Sequence, residues 1–286
     1  MGATSNSYLN IVFFLLTTFF YYQALKPTLT LATYQNKDQY LKYVSHNYMY
    51  LAIYVLLVIM IQFMVNAQAM TASCGGSLGN NLGPAGVITF LPWILIFGVL
   101  VLVLTVYPGF KTAFSDVVGY YYVHNSANQL LTELLMNKEM EAKMHNDPSM
   151  TAEKRLSLES AADVILKICG NASLLINQIV PSNFEQYWSL LSPLMKDKYQ
   201  NSQNHETQQM KQDLFQLVVT RDVVGEAMWY IYTGLLLTSI VQLKITTYGC
   251  SNNPKTMQAN YQKFLEQEQE AETNKQNVTT TYNVSG

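Results

Sequence analysis

Between residues 43 and 110 the chain contains no Asp, Glu, Lys or Arg, and His46 is the one group there that titrates near neutral pH. A water-facing surface of that length would carry charge, so a fully soluble fold is excluded. Cysteine is scarce as well. Three in 286 residues, with no Cys-x-x-Cys pair, exclude a disulfide-built scaffold and give no zinc-ligand spacing. Excess positive charge is also missing. The net charge is −2, and the densest basic pair, Lys154-Arg155, is flanked by acids, so no nucleic-acid partner is expected. The chain has no phosphate loop and no nucleophile elbow. His46, His124, His145 and His205 are isolated in sequence, and Glu139 and Glu141 would face different sides of a helix. The chain therefore reads as a non-enzyme without a cofactor or metal.

What is present is four apolar blocks, at about 9–25, 48–65, 87–107 and 227–243. Each is close to the ~20 residues that cross a hydrocarbon core of ~30 Å as a helix. The first block could serve as the core of a signal peptide. No Lys or Arg precedes it and no small-x-small site follows, so an uncleaved span is the preferred reading. Met1-Gly2 opens like a myristoylation signal, but Asn6 stands where Ser or Thr is wanted. The expected fold is all-α, with four transmembrane helices and a helical extramembrane domain inserted between spans 3 and 4. The expected divisions are 1–110 (three spans with loops), 111–226 (domain), 227–243 (fourth span) and 244–286 (a polar, partly disordered tail with one helix near 256–272).

Within the domain, Ala161, Val164, Ile165 and Ile168 recur at helical spacing and make one apolar face. Ser182-Asn-Phe-Glu185 reads as a capping box opening a helix that kinks at Pro193 and buries Leu190, Leu191 and Leu194. Pro108-Gly109 should turn the chain out of the third span. Trp93, Tyr120, Tyr121, Tyr122, Trp229 and Tyr230 are expected at the headgroup layer, where amphipathic rings are favoured. Pro92 should lie in the first turns of the third span.

Even span number puts both termini on one side and the domain on the other. The domain side carries Lys26, Lys37, Lys42, Lys111, Lys211 and Arg221 near span ends, against Lys244, Lys255 and Lys263 opposite. The positive-inside rule then places the domain in the cytosol. Cys74 and Cys250 share the other side, where they either form a disulfide or remain two separate thiols. Asn277 and Asn283 head glycosylation sequons on that side, although Asn171 heads one within the domain. Cys169 reads as a reduced core residue.

The apolar blocks contain no Asp, Glu, Lys, Arg or His in their interiors, which argues against an ion-coupled transporter, as does the lack of an inverted repeat. Gln62 is the clearest polar residue inside them. It suits an interhelical hydrogen bond, with a substrate contact as the other reading. Val117-Val-Gly-Tyr-Tyr121 lacks the second glycine and the following inner helix of a potassium filter.

One region has a familiar pattern. Ile88-Thr-Phe-Leu-Pro-Trp-Ile-Leu-Ile-Phe-Gly98 leads into Val106-Tyr-Pro-Gly-Phe-Lys111 and Phe114-Ser-Asp-Val-Val-Gly-Tyr120. It is similar to a signature of multi-span membrane proteins encoded by large icosahedral DNA viruses, notably those of algae and protists. Val180-Pro-Ser-Asn-Phe-Glu-Gln-Tyr-Trp188 resembles the helical part of the same group. The chain departs from the pattern at Phe110, where Trp is expected, and at Asp116-Val117, where Asn-Thr is expected. The resemblance implies a structural protein of a virion inner membrane, of the minor capsid type, whose helical domain contacts capsid proteins. An oligomeric channel or small transporter, and a cellular membrane adaptor, are the other classes the sequence allows.

Overall fold

A computed structural model describes residues 5–75, 77–135, 169–201, 203–248, 250 and 254–278. The protein is all-α. Among the described residues four helical stretches are long and apolar enough to cross a membrane: Tyr8–Leu25, Lys37–Cys74, Leu78–Val106 and His205–Thr246. A large helical domain lies between the third and the fourth.

The first stretch is helix α1 (Ser5–Phe20), continued by a π-turn over Tyr21–Leu25. Helix α2 is Lys37–Cys74. Helix α3 (Leu78–Pro92) passes through a π-turn at Trp93–Gly98 into α4 (Val99–Val106). In lipid a helix satisfies every backbone group internally, so apolar sequence of this length has one stable form.

The helices overrun the apolar blocks because polar residues cap them well beyond the blocks. Asn36 Oδ1 accepts from the backbone N–H of Asp38 and Gln39, each at 3.1 Å, and opens α2 eleven residues before residue 48. Asp38 then sits in the first turn, where a negative charge meets the positive end of the helix. Gly75 closes α2. Its N–H donates to Thr71 O at 2.8 Å, and its φ of 70° is a left-handed conformation that favours glycine. The third membrane helix likewise starts at Leu78 instead of residue 87, which moves Pro92 from the first turns to the interior. The π-turn after it absorbs the lost bond.

Among the described residues the domain's regular structure is helical, with short connecting turns and one isolated bridge between Leu135 and Met195. A 3-10 turn at Pro108–Lys111 leads through a π-turn at Ser115–Gly119 into α5 (Tyr120–Leu134). A long 3-10 segment, Cys169–Gln178, precedes α6 (Phe184–Leu191). Helix α7, His205–Thr246, then runs without a break from the domain into the fourth span. Its start is fixed by Asn204 Oδ1, which accepts from Glu206 N–H at 3.2 Å. The expected boundary at 226/227 therefore falls inside a helix. Helix α8 (Pro254–Val278) occupies much of the polar tail.

The domain core follows from spacing. Val123, Ala127, Leu131 and Leu134 line one face of α5 and are buried with Leu175, Ile176, Ile179, Phe184, Trp188, Leu214, Phe215 and Val218. Leu29 and Leu31, from the segment after the first span, join it.

Two local expectations are corrected. Ser182 does not cap α6. A 3-10 turn at Pro181–Asn183 intervenes, and Asn183 Oδ1 accepts from Val180 N–H at 2.8 Å. Glu185 instead bonds Lys211 at 2.7 Å and Gln35 at 2.8 Å, since a charge-assisted partner outcompetes a neutral backbone donor. Leu191 and Leu194 are buried as expected, but Leu190 is 58% exposed, because the buried face of α6 is the one that Phe184, Trp188 and Leu191 share at i, i+4 and i+7. The face Ala161, Val164, Ile165 and Ile168 and the sequon residue Asn283 lie outside the described residues.

The chain forms two compact units. One comprises residues 1–17, 56–96 and 234–286, the other 18–55 and 97–233. The second therefore contains the domain together with the adjoining parts of all four membrane helices.

Candidate functional site

The site with the highest concentration of chemistry is a set of buried ion pairs in the second unit. Glu226 is buried on α7. One of its carboxylate oxygens accepts from Lys26 Nζ at 2.5 Å and from the Tyr22 hydroxyl at 3.2 Å. The other pairs with Lys111 Nζ at 2.9 Å, and Lys111 also reaches Asp222 Oδ2 at 3.1 Å. Asp222 and Glu226 are one turn apart on α7, so both face the same partners. Lys26 stands where the first span ends, and Lys111 closes the turn that begins at Pro108. The cluster thus ties three elements that are remote in sequence. Burial pulls the Lys111 ammonium toward neutrality, but Glu226 and Asp222 together outweigh it and hold its pKa above the ordinary lysine value.

A second buried cation lies at the edge of this cluster. Arg221 is 0% exposed. Its guanidinium donates to Ile176 O at 2.6 Å, Asn177 Oδ1 at 3.1 Å and Ile179 O at 3.0 Å. Asp116 Oδ1 lies 3.4 Å from it. Burial pushes the Asp116 carboxyl up, against the downward pull of Arg221. Arg221 therefore satisfies the carbonyls around the end of the 3-10 segment, where a cation also suits the negative end of the helical turns. Close packing brings this about. A Cβ on Gly119 would lie 2.5 Å from Arg221 O, and one on Gly225 would collide with Ser115. Only glycine lets these two backbones approach so closely.

Beside the ion pairs stands an aromatic group. Tyr21 stacks on Tyr54 at 4.4 Å between centroids, and Tyr230 lies 5.8 Å from Tyr54 and 5.7 Å from Phe97. Tyr54 and Thr18 share a hydroxyl–hydroxyl bond of 2.9 Å.

The first unit has its own polar network. Asn10 Nδ2 donates to Asn66 Oδ1 at 2.9 Å and to Gln242 Oε1 at 3.1 Å. Gln62 Nε2 donates to Asn10 O at 3.0 Å, and Asn66 Nδ2 donates to Thr89 Oγ1 at 3.0 Å. Helices α1, α2, α3 and α7 all contribute. Gln62 makes the interhelical bond its position suggests. Asn10, Asn66, Thr89 and Gln242 gave no sequence signal, because uncharged amides and hydroxyls do not interrupt a hydropathy pattern.

Cys74 and Cys250 form a disulfide with Cα atoms 5.4 Å apart. It closes 176 residues of sequence separation, so its reduction should be costly. Replacing Cys74 by Ser is expected to lower stability by about 2–4 kcal/mol. Thermal unfolding in detergent, with and without a reductant, measures this. An unchanged midpoint in both would contradict it.

The remaining sequence-derived residues distribute as follows. Pro108 and Gly109 form a 3-10 turn directly after α4. Gly109 has no positive φ, so the turn rests on the proline and on Tyr107, which is neither helical nor fully extended. Tyr121 and Tyr122 are 77% and 71% exposed, while Tyr120 packs against the domain core. Trp229 donates from Nε1 to Phe110 O at 2.9 Å and packs edge-on against Phe114. Trp93 and Tyr230 are not headgroup anchors, for both are buried. Trp93 packs on Phe14 at 5.7 Å, and Tyr230 enters the tyrosine group. Asn277 lies in α8.

Sequence reading missed Glu226, Asp222, Lys26, Lys111 and Arg221 as a group. Each sits just outside an apolar block, and there a charge looks like an ordinary loop residue. The available signal was the Arg221/Asp222/Glu226 spacing, which places acids one turn apart immediately before a span.

Chemically, Lys26 and Lys111 balance Asp222 and Glu226, and Arg221 faces Asp116. Such an arrangement holds segments together. Among the described residues no group of three or more His, Cys, Asp or Glu side chains could hold a metal ion. The chain matches no family model, no curated protein and no solved structure.

Proposed function

We propose that this protein is a non-catalytic membrane anchor that presents its helical domain to a protein shell, the capsid of a large icosahedral DNA virus lying over an inner membrane. The observation that carries the anchor reading is that the domain and the adjoining parts of all four membrane helices form one compact unit. The ion pairs of Glu226 with Lys26 and Lys111 lie within it. Force applied to such a domain passes directly into helices held by lipid, with no slack linker between. Many copies under a lattice make weak individual contacts strong in sum.

Charge balance at the buried cluster favours a structural role over a conducting one, since ion pathways expose charges to a water-filled route. Exposed Val117, Tyr121 and Tyr122 suit the headgroup level and would keep the domain close to the bilayer. The capsid as partner rests on the resemblance of residues 88–120 and 180–188 to viral membrane proteins. The domain then faces the cytosol during assembly, with the Cys74–Cys250 side opposite, in keeping with the basic residues on the domain side.

Particles purified from cells producing this chain should contain it in many copies. Alkaline carbonate should not extract it, and lysine crosslinking should join Lys196 or Lys198 to a capsid protein. Absence from the particles, or robust ion conductance of the purified protein in planar bilayers, would overturn this reading.

A further inference from the structure

We infer that helix α8 (Pro254–Val278) is an interfacial helix whose first half lies on the bilayer on the side of the Cys74–Cys250 disulfide, with Tyr261, Phe264 and Leu265 inserted among the lipids. These three residues stand at i, i+3 and i+4 and share one helix face. They are 64%, 59% and 37% exposed, and every side chain from 261 to 273 is exposed, so the helix leaves the protein core with this face uncovered.

What covers it follows from the tether. Lys244 is the first charge after the fourth span and marks the interface there, and α7 ends two residues later. Cys250 is bonded to Cys74, the last residue of α2. Pro254 comes four residues after Cys250, a reach of at most about 14 Å. The start of α8 is thus held near the surface from which two spans emerge. Three apolar side chains on a free peptide would bind lipid only marginally. Tethered here, they meet the bilayer at high effective concentration, and marginal partition suffices. A second copy of the chain is a poor alternative occupant. The stripe covers about one heptad, short of what a coiled coil needs. Glu266, Glu268, Glu270 and Glu272 follow it, which lifts the second half of α8 into water.

The test uses the full chain in lipid nanodiscs, with single cysteines at Tyr261→Cys, Lys263→Cys, Phe264→Cys, Leu265→Cys and Glu270→Cys carrying a nitroxide. The unsubstituted chain serves as the control for label on Cys169. The ratio of oxygen to aqueous nickel-chelate accessibility should be several-fold higher at 261, 264 and 265 than at 263 and 270. In a Leu265→Cys chain that also carries Tyr261→Ser and Phe264→Ser, the ratio at 265 should fall to the aqueous value. Uniformly aqueous ratios would overturn the inference. So would protection accompanied by spin–spin coupling between copies, which would make a second chain the partner. Neither result bears on whether the domain binds a capsid.

Discussion

Glu226→Gln will unfold this protein more readily than any conservative change elsewhere in the ion-pair cluster. The substitution keeps the shape and removes the charge. Lys26 then loses its carboxylate partner at 2.5 Å, and Lys111 keeps only Asp222. Both lysines are largely buried, with side-chain exposures of 9% and 14%, so water cannot fully replace what is lost. Removing one member of such a set costs about 3–5 kcal/mol. Tryptophan fluorescence during thermal unfolding in detergent should show a correspondingly lower midpoint. Replacing the pair together, Glu226→Leu with Lys26→Met, should recover much of the loss, since an apolar pair of similar volume carries no desolvation penalty. A Glu226→Gln protein as stable as the parent, or a double variant worse than the single one, would show that the cluster is not what joins these segments.

The second large effect is at Arg221. Arg221→Met removes the donors to the Ile176 and Ile179 carbonyls and leaves Asp116 without its cation. Buried acceptors with no donor cost about 1–3 kcal/mol each, so a total of roughly 3–5 kcal/mol is expected. Arg221→Lys should rescue little, because an ammonium cannot span three acceptors that a planar fork reaches at once. The loss should be local first. Hydrogen exchange should accelerate across the 3-10 segment Cys169–Gln178 before it does so in the membrane helices. Full rescue by lysine, or uniform exchange throughout, would show that Arg221 contributes charge alone.

The two expectations share a physical basis. Along α7, Arg221, Asp222 and Glu226 occupy the stretch where an apolar span gives way to a domain. Charge there is tolerated because each group finds a partner from another part of the chain. Gly119 and Gly225 make room for the backbones to meet, and Lys26 and Lys111 arrive from the ends of other segments. The same solution recurs without charge in the first unit, where Asn10, Gln62, Asn66, Thr89 and Gln242 bind one another between membrane helices. Such bonds between membrane helices are individually modest, about 0.6–2 kcal/mol, but they fix which faces meet.

The sequence by itself determined the class of this protein. Four apolar blocks can only be membrane helices, since lipid offers the backbone no other partner. Spacing placed Leu191 and Leu194 correctly in the domain core but wrongly added Leu190, and the lone polarity of Gln62 in its block suggested an interhelical bond. Helix limits were not legible, because the caps at Asn36 and Asn204 lie far from any hydropathy change. Trp93 and Tyr230 looked like interface residues because nothing local in the sequence shows that both are buried against other aromatic rings. The ion-pair cluster was decided by tertiary structure alone. Lys26, Lys111 and Glu226 are separated by 85 and 115 positions, and nothing local in a sequence reports which charges will be buried together. That depends on which segments pack against one another in three dimensions, which composition does not set.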